Sequence, residues 1–328
     1  MKAAILGAGA MGSIVGAHLK RGGAEVYFID VYEEHMKAVA EKGITMELES
    51  EKEPITVFVD GADVNGDKVG VCDVVIVLVK CYDTEKAVEM NRSLFGKDTV
   101  AISLQNGVGG PDLLLKHFDA DHVGMGVLQA SANLIAPGRI FGSPRFGYSP
   151  HGVYFSPAKL DNPPYIKVYE ELAERLTAGG MPAECNDKTE EFIWNKLVTN
   201  VMFNGIAALL QLANEDTSGH EDGVALMREL ARETCEVAKA RGLDMDTERY
   251  QGMVGRRSIN RDEVKNFHYV SMCLDSYHKR KTEIDFINGA IVKEGQKHGI
   301  PTPYNETICR LVRIMQDTYY YKYEPREV

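Results

Sequence analysis

Apolar and polar positions alternate along the first half of the chain in a strand–helix rhythm. Lys2-Ala3-Ala4-Ile5-Leu6 is a short apolar run, followed by glycines and a helical stretch over residues 11–21 that Gly22-Gly23 ends. Glu25-Val26-Tyr27-Phe28-Ile29 predicts the next strand. Val74-Val75-Ile76-Val77-Leu78-Val79 is nearly continuous in β-branched and aliphatic side chains, as a parallel strand buried on both faces should be. Residues 100–104 and 123–128 read as two more strands. Strands separated by helix-length stretches place this half in the α/β class, as a doubly wound parallel sheet with right-handed crossovers.

Beyond about residue 186 the strand signals stop. Long amphipathic helical stretches follow over residues 189–212, 223–241, 271–298 and 305–319. Asp187 stands three residues before Glu190, the spacing of a capping box at a helix start. The expected organisation is an α/β domain over 1–185 and an all-helical domain over 186–328, and a length of 328 residues suits two domains. Residues 142–164, rich in Gly, Pro, Ser and Tyr, read as a loop or irregular hairpin.

Composition narrows the function classes. The formal charge of −11 argues against nucleic acid as the main partner, because phosphate binding needs a basic footprint. No apolar run is long enough to span a membrane, and the N-terminus lacks the pattern of a signal peptide. The six cysteines, with no CxxC pair, read as reduced residues of a cytoplasmic protein. No metal site is expected: His268 and His278 form the closest histidine cluster, with no cysteine or carboxylate at ligand spacing.

Gly7-Ala8-Gly9-Ala10-Met11-Gly12 is a GxGxxG loop directly after a strand and opening a helix. In that context the first glycine permits the tight turn, the second admits a pyrophosphate, and the third packs helix against strand. The helix N-terminus then presents free amides and a positive dipole end to the phosphates. Asp30 closes the second strand, 18 residues after Gly12, where a carboxylate accepts hydrogen bonds from the adenosine ribose. No Lys or Arg lies between Ala24 and His35 to hold a 2′-phosphate, so NAD(H) is expected in preference to NADP(H). A strand-terminal Asp that merely caps the next helix is the ordinary alternative.

In the second half, Lys196, Asn200 and Asn204 recur at four-residue spacing and drift by only about 40° per step around a helix. Periodicity alone reads them as the wet face of an amphipathic helix opposite Leu197, Val198, Val201 and Met202, although Asn204 fits that face poorly. Glu283 and Asp285 fall near a helix start, where carboxylates favour the dipole and act as caps.

Taken together these segments resemble the ketopantoate reductase (2-dehydropantoate 2-reductase) family over nearly the whole chain. The resemblance rests on the glycine loop, Val79-Lys80, Leu104-Gln105-Asn106-Gly107, Trp194-Asn195-Lys196 with Asn200 and Asn204, and Ser271-Met272 followed twelve residues on by Glu283-Ile284-Asp285. It implies a Rossmann domain followed by a helical domain, with the active site in the cleft between them. It implies Lys196 as the general acid that protonates a 2-oxo group as hydride arrives, and Glu283 as a carboxylate that orients the reacting groups. It further implies Asn200, Asn204, Asn214 and Ser271 as substrate contacts, and Lys80, Asn106 and Ala132 as cofactor contacts. The substrate would be a small 2-oxo acid, foremost 2-dehydropantoate giving (R)-pantoate.

Family members that make pantoate typically use NADPH, with a basic residue where this chain has Asp30. That departure keeps open an NAD-dependent D-2-hydroxyacid dehydrogenase acting on a branched or aromatic 2-oxo acid. A non-catalytic NAD-binding protein would need neither Lys196 nor Glu283, and an S-adenosylmethionine-dependent transferase would not need the helical half. Residues 142–164 and the run Tyr319-Tyr320-Tyr321-Lys322-Tyr323 lack a family rationale and read as packing or interface elements. A homodimer stays open.

Overall fold

The computed structural model describes residues 1–145, 149–254 and 269–321. His268, Lys322 and Tyr323 lie outside the described residues. The chain separates into two compact units, Met1–Ile193 and Trp194–Val328.

In chain order the first unit contains β1 (Lys2–Leu6), α1 (Ala10–Arg21), β2 (Glu25–Ile29), α2 (Glu33–Lys42), β3 (Ile44–Leu48), β4 (Ile55–Val57), β5 (Gly61–Asp63) and β6 (Val74–Val77). It continues with α3 (Thr84–Met90), β7 (Val100–Ser103), α4 (Gly110–Leu114), β8 (Val123–Leu128), β9 (Ser131–Ala136), β10 (Arg139–Ser143), β11 (Val153–Pro157), α5 (Ile166–Ala178) and β12 (Ala183–Cys185). The main sheet has the order β12-β11-β8-β7-β6-β1-β2-β5. All its pairings are parallel except β8–β11. A smaller sheet, β4-β3-β10-β9, completes the unit.

The continuous apolar runs follow from this burial. Successive residues of a strand face opposite sides. Ala3, Ile5, Val74, Ile76, Val100 and Ile102 enter the core that α1, α5 and the small sheet cover. Their neighbours Ala4, Leu6, Val75, Val77 and Ala101 enter the core on the other side, with Val88 of α3 and Leu114 of α4. Both sets are buried, so both must be apolar. The register levels the carboxyl ends of four neighbouring strands, pairing Leu6 with Ile29 and Val77, and Val77 with Ser103.

Helix α6 (Thr189–Leu210) crosses the division between the units. The second unit adds α7 (Asn214–Ser218), α8 (Glu221–Ala240), α9 (Thr247–Met253), α10 (Ser271–Tyr277), a 3₁₀ turn over Ile284–Phe286, α11 (Asn288–His298) and α12 (Pro303–Asp317). Among its described residues there is no strand. Trp194, Leu197, Val198, Val201 and Met202 form the buried side of α6. α10 docks on it through Ser276 Oγ, which donates to the carbonyl of Ala208 (3.0 Å).

Three sequence expectations need correction. Residues 142–164 hold a strand: β11 is fully buried in the main sheet, and its antiparallel course lets it follow β8 without a helical crossover. The apolar run at 74–79 is a strand only through Val77, because the amides of Leu78 and Val79 both turn to the carbonyl of Leu6 (2.8 and 3.2 Å). The stretch 271–298 is two helices rather than one. α10 ends in paired bonds, Lys279 N to Ser276 O (3.0 Å) and Arg280 N to Asp275 O (2.8 Å), with Lys279 at φ +55. This is a Schellman ending built on lysine where glycine is usual, so no glycine marks the break.

Candidate functional site

Gly7 has φ +100, and a Cβ there would lie 2.3 Å from the amide nitrogen of Val79. A Cβ on Gly12 would lie 2.1 Å from the Gly7 carbonyl oxygen. Both glycines are demanded by the protein's own packing. Gly9 is different, since the sole described atom within 4 Å of a Cβ there is Asp30 Oδ2, at 3.8 Å. Its missing side chain leaves room that nothing described in the chain fills. The amides of Gly7 and Ala8 both donate to the carbonyl of Ile29, which fixes the turn (2.8 and 3.2 Å). Ala10 and Met11 open α1, whose first turn carries no acidic side chain to compete for its free amides. A cradle of this shape fits a dinucleotide pyrophosphate.

His35 supports the loop from beneath. It is fully buried. Its Nδ1 accepts from the Gly138 amide (2.9 Å), so Nε2 carries the proton and donates to the Ala8 carbonyl (3.0 Å). Ser13 Oγ donates to the same carbonyl (2.9 Å). Burial, opposed by the Ala8 bond, holds the His35 ring below its ordinary pKa and therefore neutral. Nothing in the sequence marks this residue, because its partners, two backbone groups and the Ser13 hydroxyl (3.1 Å), lie 22 to 103 positions away.

Asp30 follows β2, with Oδ1 accepting from the Tyr32 amide (3.0 Å) and Oδ2 toward Gly9. Lys80 follows the end of β6, at the start of a 3₁₀ turn over Cys81–Asp83, and Asn106 follows β7. The strand order β7-β6-β1-β2 thus brings Asn106, Lys80, the glycine loop and Asp30 to one edge of the sheet, where such folds bind ligands. Gln105 ties this edge together and is a residue to which sequence reasoning assigned no role. Its Nε2 donates to the Val79 carbonyl (2.7 Å) and Thr84 Oγ1 (2.8 Å), and its Oε1 accepts from Ser103 Oγ (2.9 Å). Ala132 lies on β9 opposite Gly142, in a strand that packs on α1.

In the second unit Lys196, Asn200 and Asn204 lie on α6. Asn204 is 3% exposed, and its Oδ1 is a buried acceptor with no hydrogen-bond partner in the structure. Asn214 opens α7 and also carries a buried, unpartnered Oδ1. Buried polar atoms of a folded protein are normally paired, so each such orphan asks for an explanation, and a ligand is one. Ser271 is the exposed first residue of α10.

The capping role expected for the carboxylates is corrected. Glu283 precedes the 3₁₀ turn without a side-chain cap bond and is buried. Asp285 is exposed and accepts from Arg313 Nε (2.8 Å). Burial pulls the Lys196 ammonium down to about 8, and the Glu283 charge pushes it back up. The structure therefore couples these two residues electrostatically. An ammonium titrating near 8 can give up a proton close to neutral pH. Among the described residues, no group of three or more His, Cys, Asp or Glu could hold a metal ion. No described helix is long and apolar enough to cross a membrane.

Two models of one family cover most of the chain, ketopantoate reductase PanE/ApbA over residues 3–148 and its C-terminal part over residues 188–316. The chain belongs to the ketopantoate reductase family. It is an oxidoreductase with a Rossmann-type first half, and it uses a nicotinamide cofactor. A 2-dehydropantoate 2-reductase from Streptococcus pyogenes is 27% identical over 309 residues, covering 94% of this chain and 95% of its own. One from Lactococcus lactis subsp. lactis is 28% identical over 328 residues, covering 97% and 98%. Among solved structures, D-mandelate dehydrogenase with NADH and anilino(oxo)acetate superposes with a TM-score of 0.84 at 28% identity, covering 97% of this chain and 99% of that one. A ketopantoate reductase family member from Ralstonia eutropha superposes with a TM-score of 0.79 at 28% identity, covering 98% and 100%.

Proposed function

We propose that the protein reduces 2-dehydropantoate to (R)-pantoate with NADH, the first unit holding the dinucleotide and the second supplying the acid. The observation that carries this reading is the set of polar groups on the second unit. Lys196 is an ammonium tuned by burial and opposed by Glu283, and the buried amide oxygens of Asn204 and Asn214 stand without donors, as does that of Asn288 deeper in the helical unit. An unpartnered acceptor calls for a hydroxyl, and 2-dehydropantoate carries one at C4 that an unsubstituted aromatic 2-oxo acid lacks. Asn200 and Ser271 complete the proposed substrate contacts.

When bound, the reduced nicotinamide supplies hydride to the 2-oxo carbon. Lys196 donates the proton that the new hydroxyl needs, and its positive charge favours the developing alkoxide. Glu283 keeps that ammonium charged and orients it. On the first unit the glycine loop and the first turn of α1 receive the pyrophosphate. Asp30 accepts from the adenosine ribose hydroxyls and disfavours a 2′-phosphate, while Lys80, Asn106 and Ala132 complete the cofactor contacts. These groups lie in the unit Met1–Ile193, and Lys196 lies in the unit Trp194–Val328.

A second reading has specific support. Asp30, with the likeness to a D-mandelate dehydrogenase described with NADH, favours an NAD-linked dehydrogenase of an aromatic or branched 2-hydroxy acid. The test is a set of initial rates with NADH and NADPH against 2-dehydropantoate, phenylglyoxylate and branched 2-oxo acids. The first reading requires the highest kcat/KM on 2-dehydropantoate. A preference for phenylglyoxylate would replace it with the second.

A further inference from the structure

The helical unit contains a line of fully buried polar side chains that neither cofactor nor substrate accounts for. Glu233 of α8, Asn305 of α12 and Asn288 of α11 are each 0% exposed. Glu233 accepts from the amides of Tyr304 and Asn305 (3.0 Å each) and from Asn305 Nδ2 (2.9 Å), so it caps the start of α12. Asn305 Oδ1 in turn accepts from Asn288 Nδ2 (3.1 Å). The same Asn288 nitrogen donates to the carbonyl of Val201 on α6 (3.2 Å). One chain of hydrogen bonds thereby joins α8, α12, α11 and α6.

Its two last members sit close in sequence to the candidate acid and its carboxylate. Val201 is five residues after Lys196 and next to Asn200, while Asn288 is five residues after Glu283. Between Glu283 and Asn288 the chain is a tight 3₁₀ turn closed by Phe286 N to Glu283 O (3.0 Å) and Ile287 N to Ile284 O (3.3 Å). On the other side of Glu283, the amide and hydroxyl of Thr282 both donate to Gln316 Oε1 (3.1 and 2.9 Å). Glu283 is thus bracketed, by α12 before it and by α6 after it. Both α12 and the start of α11 come close to α6, since a Cβ on Gly205 would lie 2.3 Å from Ile308 Cγ2 and 3.5 Å from Asn288 Oδ1.

We propose that Asn288 is a positioning residue, whose bond to the Val201 carbonyl sets where Glu283 stands relative to Lys196. An apolar side chain at 288 could fill the same space, but packing alone tolerates sliding between α11 and α6. A hydrogen bond to one carbonyl does not, and such directional contacts are what buried polar groups add at their desolvation cost. The inference rests on the proposed pairing of Lys196 and Glu283 as acid and orienting carboxylate.

The test uses the full-length enzyme at saturating NADH with its best 2-oxo acid, comparing Asn288→Ala with Glu283→Gln. Misplacement of Glu283 should lower kcat by roughly 10- to 100-fold. It should also shift the alkaline limb of the kcat profile to lower pH, in the same direction as Glu283→Gln, because less carboxylate charge reaches Lys196. A folded Asn288→Ala protein with a lower Tm but unchanged kcat and limb would overturn the inference. If Asn288→Ala does not fold, Asn288→Ser carries the same readings, since its shorter donor cannot span both acceptors. A limb that moves in Glu283→Gln alone removes the inference and leaves the acid–carboxylate reading standing. A limb that moves in neither variant removes both.

Discussion

Asp30 Oδ2 lies 3.8 Å from the point that a Cβ on Gly9 would occupy, so the strand-end carboxylate borders the open part of the glycine loop. A negative charge beside this space favours ribose hydroxyls and repels a 2′-phosphate. NADH should therefore exceed NADPH in kcat/KM by at least roughly tenfold, about 1.4 kcal/mol of differential binding. Asp30→Arg should narrow or reverse the ratio. Equal use of both cofactors by the unaltered protein would remove Asp30 from cofactor selection.

The three loop glycines should separate by experiment. A methyl on Gly12 meets the Gly7 carbonyl at 2.1 Å, so Gly12→Ala should destabilise the fold by about 1–3 kcal/mol, as overpacking does. Gly9 meets no such obstacle, so Gly9→Val should leave Tm nearly unchanged while raising the Kd for NADH at least roughly tenfold, about 1.4 kcal/mol. Melting curves and fluorescence titration check this pair. A Gly9→Val protein that binds NADH normally would mean that the loop does not receive the pyrophosphate.

Much of the dinucleotide half was legible because its burial is local in sequence. Parallel strands covered on both faces are apolar at nearly every position, and β1, β7 and β8 announced themselves that way, as did β2 beyond its exposed Glu25. The small sheet did not, because its strands alternate exposed and buried residues over short spans, as in β10. β11 was hidden by the Gly, Pro and Ser around it. Lys196 showed as part of a helical stripe, yet periodicity assigned that stripe to water, and only the resemblance gave it chemistry. The burial of Glu283 depends on the break after α10, which Lys279 makes without a glycine. His35 and Asn288 act through partners distant in sequence, and composition or spacing carries no trace of such contacts.

The acid role of Lys196 has a pH signature. With Lys196 titrating near 8, the ammonium that donates the proton is present below that pH and lost above it. Reduction should therefore be flat or rising from pH 8 downward through neutrality and fall about tenfold per unit above 8. Glu283 raises the basicity of Lys196, so Glu283→Gln should move this fall to lower pH. Lys196→Ala should cost roughly 10²–10⁴-fold in kcat and change NADH affinity little. The linked effect on folding has its own sign. A lysine held below its unfolded pKa destabilises the fold at neutral pH, and that deficit shrinks as pH rises from about 8 to the ordinary lysine range. Lys196→Met should accordingly match or exceed the parent in Tm at pH 7. A lower Tm together with normal kinetics would make the lysine structural.

The unpartnered amide oxygens of Asn204 and Asn214 lead to the last prediction. A residue retained for packing should cost stability when replaced, whereas Asn204 Oδ1 and Asn214 Oδ1 are buried without donors and already carry a desolvation penalty. Asn204→Leu removes that penalty and should leave Tm unchanged or raised, a common result at sites kept for binding. The same substitution should lower kcat/KM for 2-dehydropantoate by roughly 10- to 100-fold, about the 1–3 kcal/mol of a lost buried hydrogen bond. For a 2-oxo acid without a second hydroxyl the loss should be much smaller if Asn204 reads that hydroxyl, and equal if it touches the reacting end. Ser271→Ala serves as the comparison: Ser271 lies on the surface, and its loss should act on substrate KM for every 2-oxo acid alike, because carboxylate binding is similar in ground and transition states. Kinetics of both variants on both substrates, with a melting curve for each, check these outcomes. If Asn204→Leu lowers Tm and leaves kcat/KM intact, the orphaned oxygen is a packing feature of α6, and the hydroxyl-based preference for 2-dehydropantoate loses its support.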